Sequence, residues 1–514
     1  MKNSHRQHMM QRLGNLLSVL SLTFILLLIG CSGQQQESAQ PTDSEVRNAV
    51  LSKIQQAQGL PLAKTVKVQV DSGVVVLEGQ SDNLLAKDRA TRVAQSVSGV
   101  LSVVNNLTVQ SSRSDVDILA DVRKALTSDP ATDDWDIQPK VTNHHVTLTG
   151  TVESWQEKEL ADVVVKRVDG VTGITNNITV HSRLNRPDSL VAQDVRASLK
   201  WDSRIDAKQI HVNVKEHEVT LSGKVGSALE KSIALKDAYV AGASYVDTDQ
   251  LTVAPQERSQ MEVELTTPVP DDQVERAIRE AMKMDPRLSA AQVNVSVVEG
   301  HVTLTGMVDN LKAKRSAASD AKNTLGVWSV ENAIRIEPVQ PVPDSQLQQR
   351  IEAALQRDTY VNPDQIRVQV NNGTVTLSGE ADTYFMKWQV GDAVASLNNV
   401  LAIKNNITVP YEQPTYDMPF YNWNPVTNDY DVLPVEKTDA QIANDIRNEL
   451  SWSPFVNERD IHVTVEDGVA TLTGTIHTWY QKQKATNLAY QGGAREVKNN
   501  LKYAFGPLEQ LTKQ

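Results

Sequence analysis

The chain has 514 residues and a formal net charge of −12 at pH 7. This length exceeds what one hydrophobic core supports, so it predicts several domains. The acidic balance excludes a general nucleic-acid binder, because such a protein needs a basic face to displace counterions. The single cysteine excludes an intramolecular disulfide.

The first thirty residues are typical of a targeting segment. A basic start precedes the apolar run 16–29, which is shorter than the roughly 20 residues that span a bilayer. The run ends in Leu28-Ile29-Gly30-Cys31, which resembles the lipobox of bacterial lipoproteins. This resemblance implies that residues 1–30 are a signal peptide and that Cys31 is acylated. An ordinary secretory signal with a chance cysteine is the alternative.

An acylated Cys31 would attach the protein to a membrane, since each buried CH₂ contributes about 0.8 kcal/mol. The residue after the cysteine is Ser32 and not an aspartate. In Gram-negative lipoproteins this pattern implies the outer membrane, with the protein facing the periplasm. Residues 31–42 are polar and predict a flexible tether.

An amphipathic helix is the first element after the tether. Val46, Val50 and Ile54 stand at i, i+4 and i+8, which places one apolar stripe on a helix. The same spacing recurs in five further copies: Ile118/Val122/Leu126, Val191/Val195/Leu199, Val274/Ile278/Met282, Leu347/Ile351/Leu355 and Ile442/Ile446/Leu450. An aspartate follows the stripe in four copies, at Asp129, Asp202, Asp285 and Asp358.

A β-hairpin follows each of these helices. Val66, Val68 and Val70 alternate with polar residues, and period-two alternation of β-branched residues indicates a half-buried strand. After a short turn, a second strand ends in Leu-x-Gly in every copy, so a tight hairpin is predicted. The recurring glycines are Gly79, Gly150, Gly223, Gly306, Gly379 and Gly474. A phosphate cradle would need a Gly-rich loop followed by Lys-Ser/Thr, so the glycines are interpreted as structural.

A second helix and a closing strand complete each copy. The stretch 83–97 predicts the helix, and Val104-Asn105-Asn106-Leu107 predicts the strand. The fold class is therefore α+β, with six tandem α-β-β-α-β modules, each a three-stranded mixed sheet packed on two helices. Modules 1 to 6 span 43–110, 114–181, 187–254, 269–338, 343–410 and 437–505.

The repeats resemble BON domains in the order of their elements, their strand pattern, the recurring glycine and the closing Val-x-Asn-x-apolar strand. Module 3 departs most, because its last strand reads Val246-Asp247-Thr248-Asp249. The resemblance implies a protein that is not an enzyme and needs no cofactor. It also implies a periplasmic or envelope role, with contact to phospholipid surfaces and protection of the envelope under osmotic stress.

The start of the second helix is the candidate contact surface for lipid or a partner. Aromatic rings stand beside basic side chains there, and this combination suits the headgroup level of a membrane. The candidates are Trp479, Tyr480, Lys482 and Lys484 in module 6, Tyr384, Phe385 and Lys387 in module 5, and Lys312, Lys314 and Arg315 in module 4. The alternative is that the first aromatic residue packs the helix onto its own core.

No catalytic or metal-binding constellation is predicted. His145 and His301 occupy equivalent strand positions, but no module combines two aligned histidines with a carboxylate at ligand spacing. The chain contains no nucleophile elbow and no HExxH motif.

The linker 411–436 is rich in aromatic residues, including Tyr416, Phe420 and Trp423. A flexible spacer would lack them. The linker is expected either to pack on neighbouring modules or to offer stacking faces to sugar or a partner protein.

Two functions follow. The first is a non-catalytic envelope lipoprotein that contacts the membrane through Cys31 and binds anionic phospholipid or envelope surfaces. The alternative is a scaffold or assembly factor for secretion or cell-wall machinery, with envelope proteins or peptidoglycan as partners. Nucleic acid is not an expected partner.

Overall fold

The structure is a computed structural model. It describes residues 41–504 apart from 58, 182–185, 241, 256–268, 289–291, 339–340 and 410–436. The predicted signal peptide 1–30, the acylation site Cys31 and the aromatic linker 411–436 lie outside the described residues. Within the described ranges, no helix is both long enough and apolar enough to cross a bilayer.

Each predicted apolar stripe forms the buried side of a helix. Val46, Val50 and Ile54 are buried on the first of them, and the other five stripes are buried in the same way. These first helices are α1 (Asp43–Gln56), α3 (Asp115–Ser128), α5 (Asp188–Trp201), α7 (Asp271–Met284), α9 (Asp344–Arg357) and α11 (Asp439–Ser451).

A two-residue turn with positive φ joins the first two strands of every module, as tight hairpins require. The first strands are β1 (Lys67–Asp71), β4 (Asp136–Thr142), β7 (Ile210–Lys215), β10 (Gln292–Val298), β14 (Ile366–Asn371) and β17 (Ile461–Glu466). The central strands are β2 (Val74–Ser81), β5 (His145–Val152), β8 (Glu218–Val225), β11 (His301–Val308), β15 (Thr374–Glu380) and β18 (Val469–Ile476).

The first residue of each first helix holds this turn in place. Asp43 accepts the backbone N–H groups of Ser72 and Gly73 at 2.8 and 2.9 Å. The equivalent aspartates make the same pair of bonds: Asp115, Asp188, Asp271, Asp344 and Asp439. A carboxylate at this end also complements the helix dipole.

The third strand runs parallel to the central strand, so each sheet is mixed. The third strands are β3 (Ser102–Val109), β6 (Gly173–Val180), β9 (Tyr245–Val253), β12 (Ser329–Asn332) with β13 (Arg335–Ile336), β16 (Ala402–Thr408), and β19 (Glu496–Asn499) with β20 (Lys502–Tyr503). The side-chain amide of Asn105 donates to the carbonyl of Lys87 at 2.8 Å and so ties β3 to the second helix. Module 3 lacks this asparagine, and its β8–β9 register shifts between Thr220 and Ser222.

The second helices lie between their own sheet and neighbouring modules. They are α2 (Leu84–Gln95), α4 (Trp155–Lys166), α6 (Ala228–Asp237), α8 (Leu311–Asn323), α10 (Tyr384–Ala395) and α12 (Trp479–Gln491). In α10, Gln389 and Asp392 are buried together with the apolar residues, so this helix is covered on more than one side.

Six hydrophobic clusters correspond to the six modules in the described part of the chain. Each is built from the stripe of the first helix, small and apolar residues of the second helix, and the inward side chains of one sheet. A few residues cross between them: Leu84 of module 1 packs in the cluster of module 2, and Phe385 of module 5 packs in that of module 1. The predicted fold class is confirmed, and the modules contact one another through their second helices.

Candidate functional site

A polar side chain caps each second helix and sets the orientation of its first turn. The caps accept the backbone N–H three residues later, as is typical of helix N-termini. They are Asn83, Ser154, Ser227, Asn310, Thr383 and Thr478. The candidate contact residues therefore occupy the first turns of α8, α10 and α12, where the structure places them against neighbouring elements.

In module 6, Tyr480 is 2% exposed and packs edge-on against Phe455, with ring centroids 5.3 Å apart. Trp479 lies beside module 4, where the Nζ atom of Lys322 is 5.4 Å from its ring centroid. Lys482 donates to the carbonyl of Leu501 at 2.9 Å. Lys484 is 7% exposed. Burial lowers the pKa of Lys482 below its ordinary value.

In module 5, Phe385 is buried between two modules. Its ring meets that of Tyr360 edge-on at 5.1 Å, and the guanidinium of Arg89 from module 1 lies 4.6 Å from its centroid. The hydroxyl of Tyr360 donates to the carbonyl of Gly59, also in module 1, at 3.2 Å. Tyr384 and Lys387 are half-buried, with the ammonium 5.9 Å from the tyrosine ring.

In module 4, Lys312 forms an ion pair with Asp392 of module 5. The side chains are 13% and 4% exposed. Burial lowers the pKa of Lys312 to about 8, although Asp392 acts in the opposite direction. Burial also lowers the pKa of Arg315, and Lys314 is half-buried. Tyr480, Phe385 and Lys312 thus face other protein groups, whereas Lys314, Tyr384 and Lys387 are half-buried, and lipid contact through these helix starts stays a prediction.

The candidate cations form part of a buried ionic junction between modules 2, 4 and 5. Arg167 at the end of α4 bonds Asp358 at 2.7 Å and Asp392 at 2.9 Å, and both carboxylates are 4% exposed. Burial raises the pKa of Asp392, but Lys312 and Arg167 outweigh it and hold that pKa well below the ordinary value. Burial likewise disfavours the charge of Arg167, yet the two aspartates keep its pKa above the usual range.

The aspartates that follow the first helices join modules. Asp129 of module 2 receives a bidentate bond from Arg287 of module 4, with both N···O distances at 3.1 Å. Asp358 bonds Arg167 across the junction of modules 2 and 5. Sequence reasoning noticed these aspartates without assigning them a role. All four aspartates also accept the backbone N–H two residues later, so a local turn accounts for their recurrence and the partners in other modules left no separate signal in the sequence.

The Leu-x-Gly glycines all lie where the central strand passes close to the backbone that enters the first strand. Their φ values lie between +111° and +133°. A Cβ atom at Gly306 would lie 1.9 Å from the carbonyl oxygen of Gln292. The equivalent carbonyls belong to Thr65, Asp136, Gln209, Gln365 and Asp460. The space and the backbone conformation both require glycine.

No cluster of three or more metal-ligating side chains occurs among the described residues. His145 bonds the hydroxyl of Thr175 at 2.8 Å, and His301 bonds that of Ser329 at 2.6 Å. Each histidine thus bridges two strands of its own sheet. The residues brought together by the fold can hold modules in place through charge and hydrogen bonding.

Six copies of one α-β-β-α-β module, joined by buried ion pairs, define a tandem-repeat α+β protein. The model of the BON domain family matches residues 42–111, 114–182, 187–255, 270–338, 343–411 and 438–504. Because these matches cover most of the sequence, the chain belongs to the BON domain family.

One similar protein is osmotically-inducible protein Y of Escherichia coli (strain K12), with 27% identity over 121 residues. The match covers 22% of this chain and 60% of the length of that protein. Among solved structures, one similar chain is the C-terminal domain of CdsD, the structural protein of the type III secretion system of Chlamydia trachomatis. It is 18% identical, with a TM-score of 0.12, and the match covers 44% of this chain and 100% of that chain. A second structure of CdsD from the same organism is also 18% identical, with a TM-score of 0.12, over 43% and 98%. A TM-score this low supports no conclusion about the fold or function of this chain from its similarity to CdsD.

Proposed function

We propose that this chain is a non-catalytic lipoprotein of the bacterial cell envelope, anchored by acylated Cys31, whose six modules form a binding scaffold. Membership of the BON domain family and similarity to an osmotically inducible protein support an envelope role under osmotic stress. The lipobox-like sequence that ends at Cys31 supports the anchor and an outer-membrane location facing the periplasm.

The observation that carries the scaffold proposal is the contrast between the two sides of the modules. Side chains of the second helices contact neighbouring modules, whereas side chains on the sheet face opposite the helices are exposed. On β5, Val146 and Leu148 are buried, while Thr149 and Thr151 on the other face are exposed. The hydroxyl groups on this face of β5 suit hydrogen bonding to an envelope protein or peptidoglycan better than insertion among acyl chains.

The anchor is tested by metabolic labelling with radioactive palmitate. We expect the wild-type chain to incorporate the label and to fractionate with membranes. The Cys31→Ala variant is expected to lose the label and to appear in the soluble periplasmic fraction, because the chain would then hold no acyl group. Equal labelling of the two chains would refute the lipoprotein assignment.

Phospholipid contact by the helix starts is the alternative, and vesicle co-sedimentation distinguishes it. In the Cys31→Ala background, we expect replacement of Lys387 and Lys482 by glutamine to change binding to phosphatidylglycerol–phosphatidylcholine vesicles by less than about twofold. The reason is that these lysines face protein groups. The matched control replaces the exposed strand residues Lys67 and Lys140 by glutamine. A tenfold loss confined to the Lys387/Lys482 variant, with unchanged circular dichroism, would favour the lipid-binding function instead.

A further inference from the structure

Modules 3 and 4 meet at a backbone joint. Asp202, just after α5, pairs in antiparallel fashion with Thr324, just after α8. The N–H of Ser203 donates to the carbonyl of Asn323, and the N–H of Leu325 donates to that of Trp201, both at 2.8 Å.

Modules 2 and 5 meet at a joint with the same backbone pattern. Val168 pairs with Asp358. The N–H of Asp169 donates to the carbonyl of Arg357, and that of Thr359 donates to the carbonyl of Arg167, both at 2.9 Å. The two joints can therefore be compared directly, and they differ in the charges that surround them.

The 2–5 joint is balanced by cations, since Arg167 and Lys312 both contact Asp392. The 3–4 joint instead gathers four aspartates: Asp202 and Asp237 from module 3, and Asp285 and Asp320 from module 4. The Oδ2 atoms of Asp237 and Asp320 are enclosed and have no hydrogen-bond partner among the described residues. An enclosed carboxylate oxygen without a hydrogen-bond partner lowers the stability of the folded chain unless a proton or a cation compensates it.

The cations near the 3–4 joint are too few for four carboxylates. Arg204 bonds Asp202 at 2.8 Å and also faces Asp237 and Asp320. Arg287 faces Asp285 but gives its bidentate bond to Asp129 of module 2. Lys312 lowers the pKa of Asp285, but its ammonium group is held in the ion pair with Asp392. Lys236, next to Asp237, is exposed to solvent. Two added protons would bring the joint close to charge balance.

We propose that protons close the joint between modules 3 and 4: Asp237 shares one with Asp202, Asp320 holds one on its enclosed carboxyl group near Asp285, and loss of both to solvent loosens the joint. Asp237 makes a side-chain hydrogen bond with Asp202, whereas Asp320 interacts electrostatically with Asp285, and both Asp237 and Asp320 interact with Arg204. Glu230 of module 3 also faces Asp202, and burial raises the pKa of Glu230 to about 7, so its ionisation adds repulsion in the same direction. This mechanism concerns module cohesion and is independent of the ligand that the scaffold binds.

The direction of the pH dependence follows from the pKa shifts. Burial first, and Asp202 second, raise the pKa of Asp237 well above its ordinary value; burial and Asp285 do the same for Asp320. Burial also raises the pKa of Asp285. A carboxyl group whose pKa is raised by folding contributes stability below its ordinary pKa and loses it as the pH rises through the folded pKa. Acid should therefore tighten the 3–4 joint.

Hydrogen exchange of the joint amides in the full-length protein tests the proposal. We expect the protection of Ser203 and Leu325, corrected for intrinsic exchange, to fall at least about tenfold between pH 5 and pH 8. The amides of Asp169 and Thr359 at the 2–5 joint serve as the internal control. Their protection should change by no more than about twofold, because the pKa of Asp392 is lowered and Lys312, with a pKa of about 8, loses only about half of its charge at pH 8.

Replacing both Asp237 and Asp320 by asparagine supplies the matched variant. An asparagine amide is uncharged, and at position 237 it can donate to Asp202 as a protonated carboxyl would, so Ser203 and Leu325 should stay protected up to pH 8. The proposal is overturned if the variant keeps the wild-type pH profile, or if both joints of the wild-type chain lose protection together. A flat wild-type profile at Ser203 and Leu325 overturns it as well, whether or not the variant folds.

Discussion

Replacing Arg167 by methionine is expected to destabilise the joint between modules 2 and 5 by about 3–5 kcal/mol, since it leaves buried carboxylates without their cation. Asp358 would lose its guanidinium partner, and Asp392 would keep its ion pair with Lys312 and the weaker attraction of Arg315. Urea denaturation followed by hydrogen exchange at Asp169 and Thr359 measures the effect. The midpoint for these amides should fall, while amides in the core of module 6 should keep theirs.

The matched control is Arg276→Met, which removes an ion pair on the surface of α7. Arg276 and Asp272 are 69% and 70% exposed, so their pair is screened by water and salt. We expect a change below about 0.5 kcal/mol. Adding Asp358→Asn to Arg167→Met should recover part of the loss, because this buried carboxylate then no longer lacks its cation, while Asp392 keeps its ion pair with Lys312. Equal midpoints for Arg167→Met and Arg276→Met would contradict a role for the buried junction in holding the modules together.

The elements inside each module were predictable because the signals are local. Apolar residues at i, i+4 and i+8, such as Ile118, Val122 and Leu126, form one face of a helix, and packing of that face on one neighbouring sheet accounts for them. Alternation in a strand reports which side faces that helix. Repetition in six copies made the pattern stand out from chance, and the sheet order followed from the short turn and the helical crossover.

The contacts between modules were not predictable in this way, since they join residues far apart in the sequence. Trp155 stacks on Tyr239 of module 3 with ring centroids 4.1 Å apart, and nothing local to Trp155 indicates that partner. Aromatic residues beside lysines in α10 and α12 suggested a membrane surface, although Phe385 and Tyr480 proved to be buried in protein contacts. An aromatic residue next to a cation fits either environment, so composition alone could not decide between them.

Two aspartates, Asp358 and Asp392, stand at positions that local sequence preference disfavours. Asp392 interrupts a nearly apolar helix, and Asp358 stands at a helix end where the dipole disfavours it. Both positions conflict with local preference, and such conflicts tend to mark sites whose reason lies elsewhere in the fold. In this chain Arg167 contacts both carboxylates from another module, and Asp358 also accepts the N–H of Tyr360 at 2.9 Å.

Replacing Gly474 by alanine is expected to destabilise module 6 by about 3 kcal/mol or more. The φ of +129° strains any L side chain, at a cost of about 1–3 kcal/mol. The added Cβ would lie 1.9 Å from the carbonyl oxygen of Asp460, so β17 and β18 would have to separate or shift. Urea denaturation with hydrogen exchange read on β17 and β18 measures the loss.

The control in the same module is Gly468→Asn, in the hairpin turn between those strands. Gly468 has a φ of +75°, but the nearest atom to an added Cβ is Cβ of Arg495 at 3.5 Å. Asparagine tolerates this left-handed conformation, and His144 and His217 adopt it at the equivalent turns of modules 2 and 3. A cost of about 1 kcal/mol or less is therefore expected. Equal losses of stability would contradict an extra cost at the Leu-x-Gly position. A larger loss at Gly474 is expected from its φ of +129° together with the close approach of the Asp460 carbonyl oxygen.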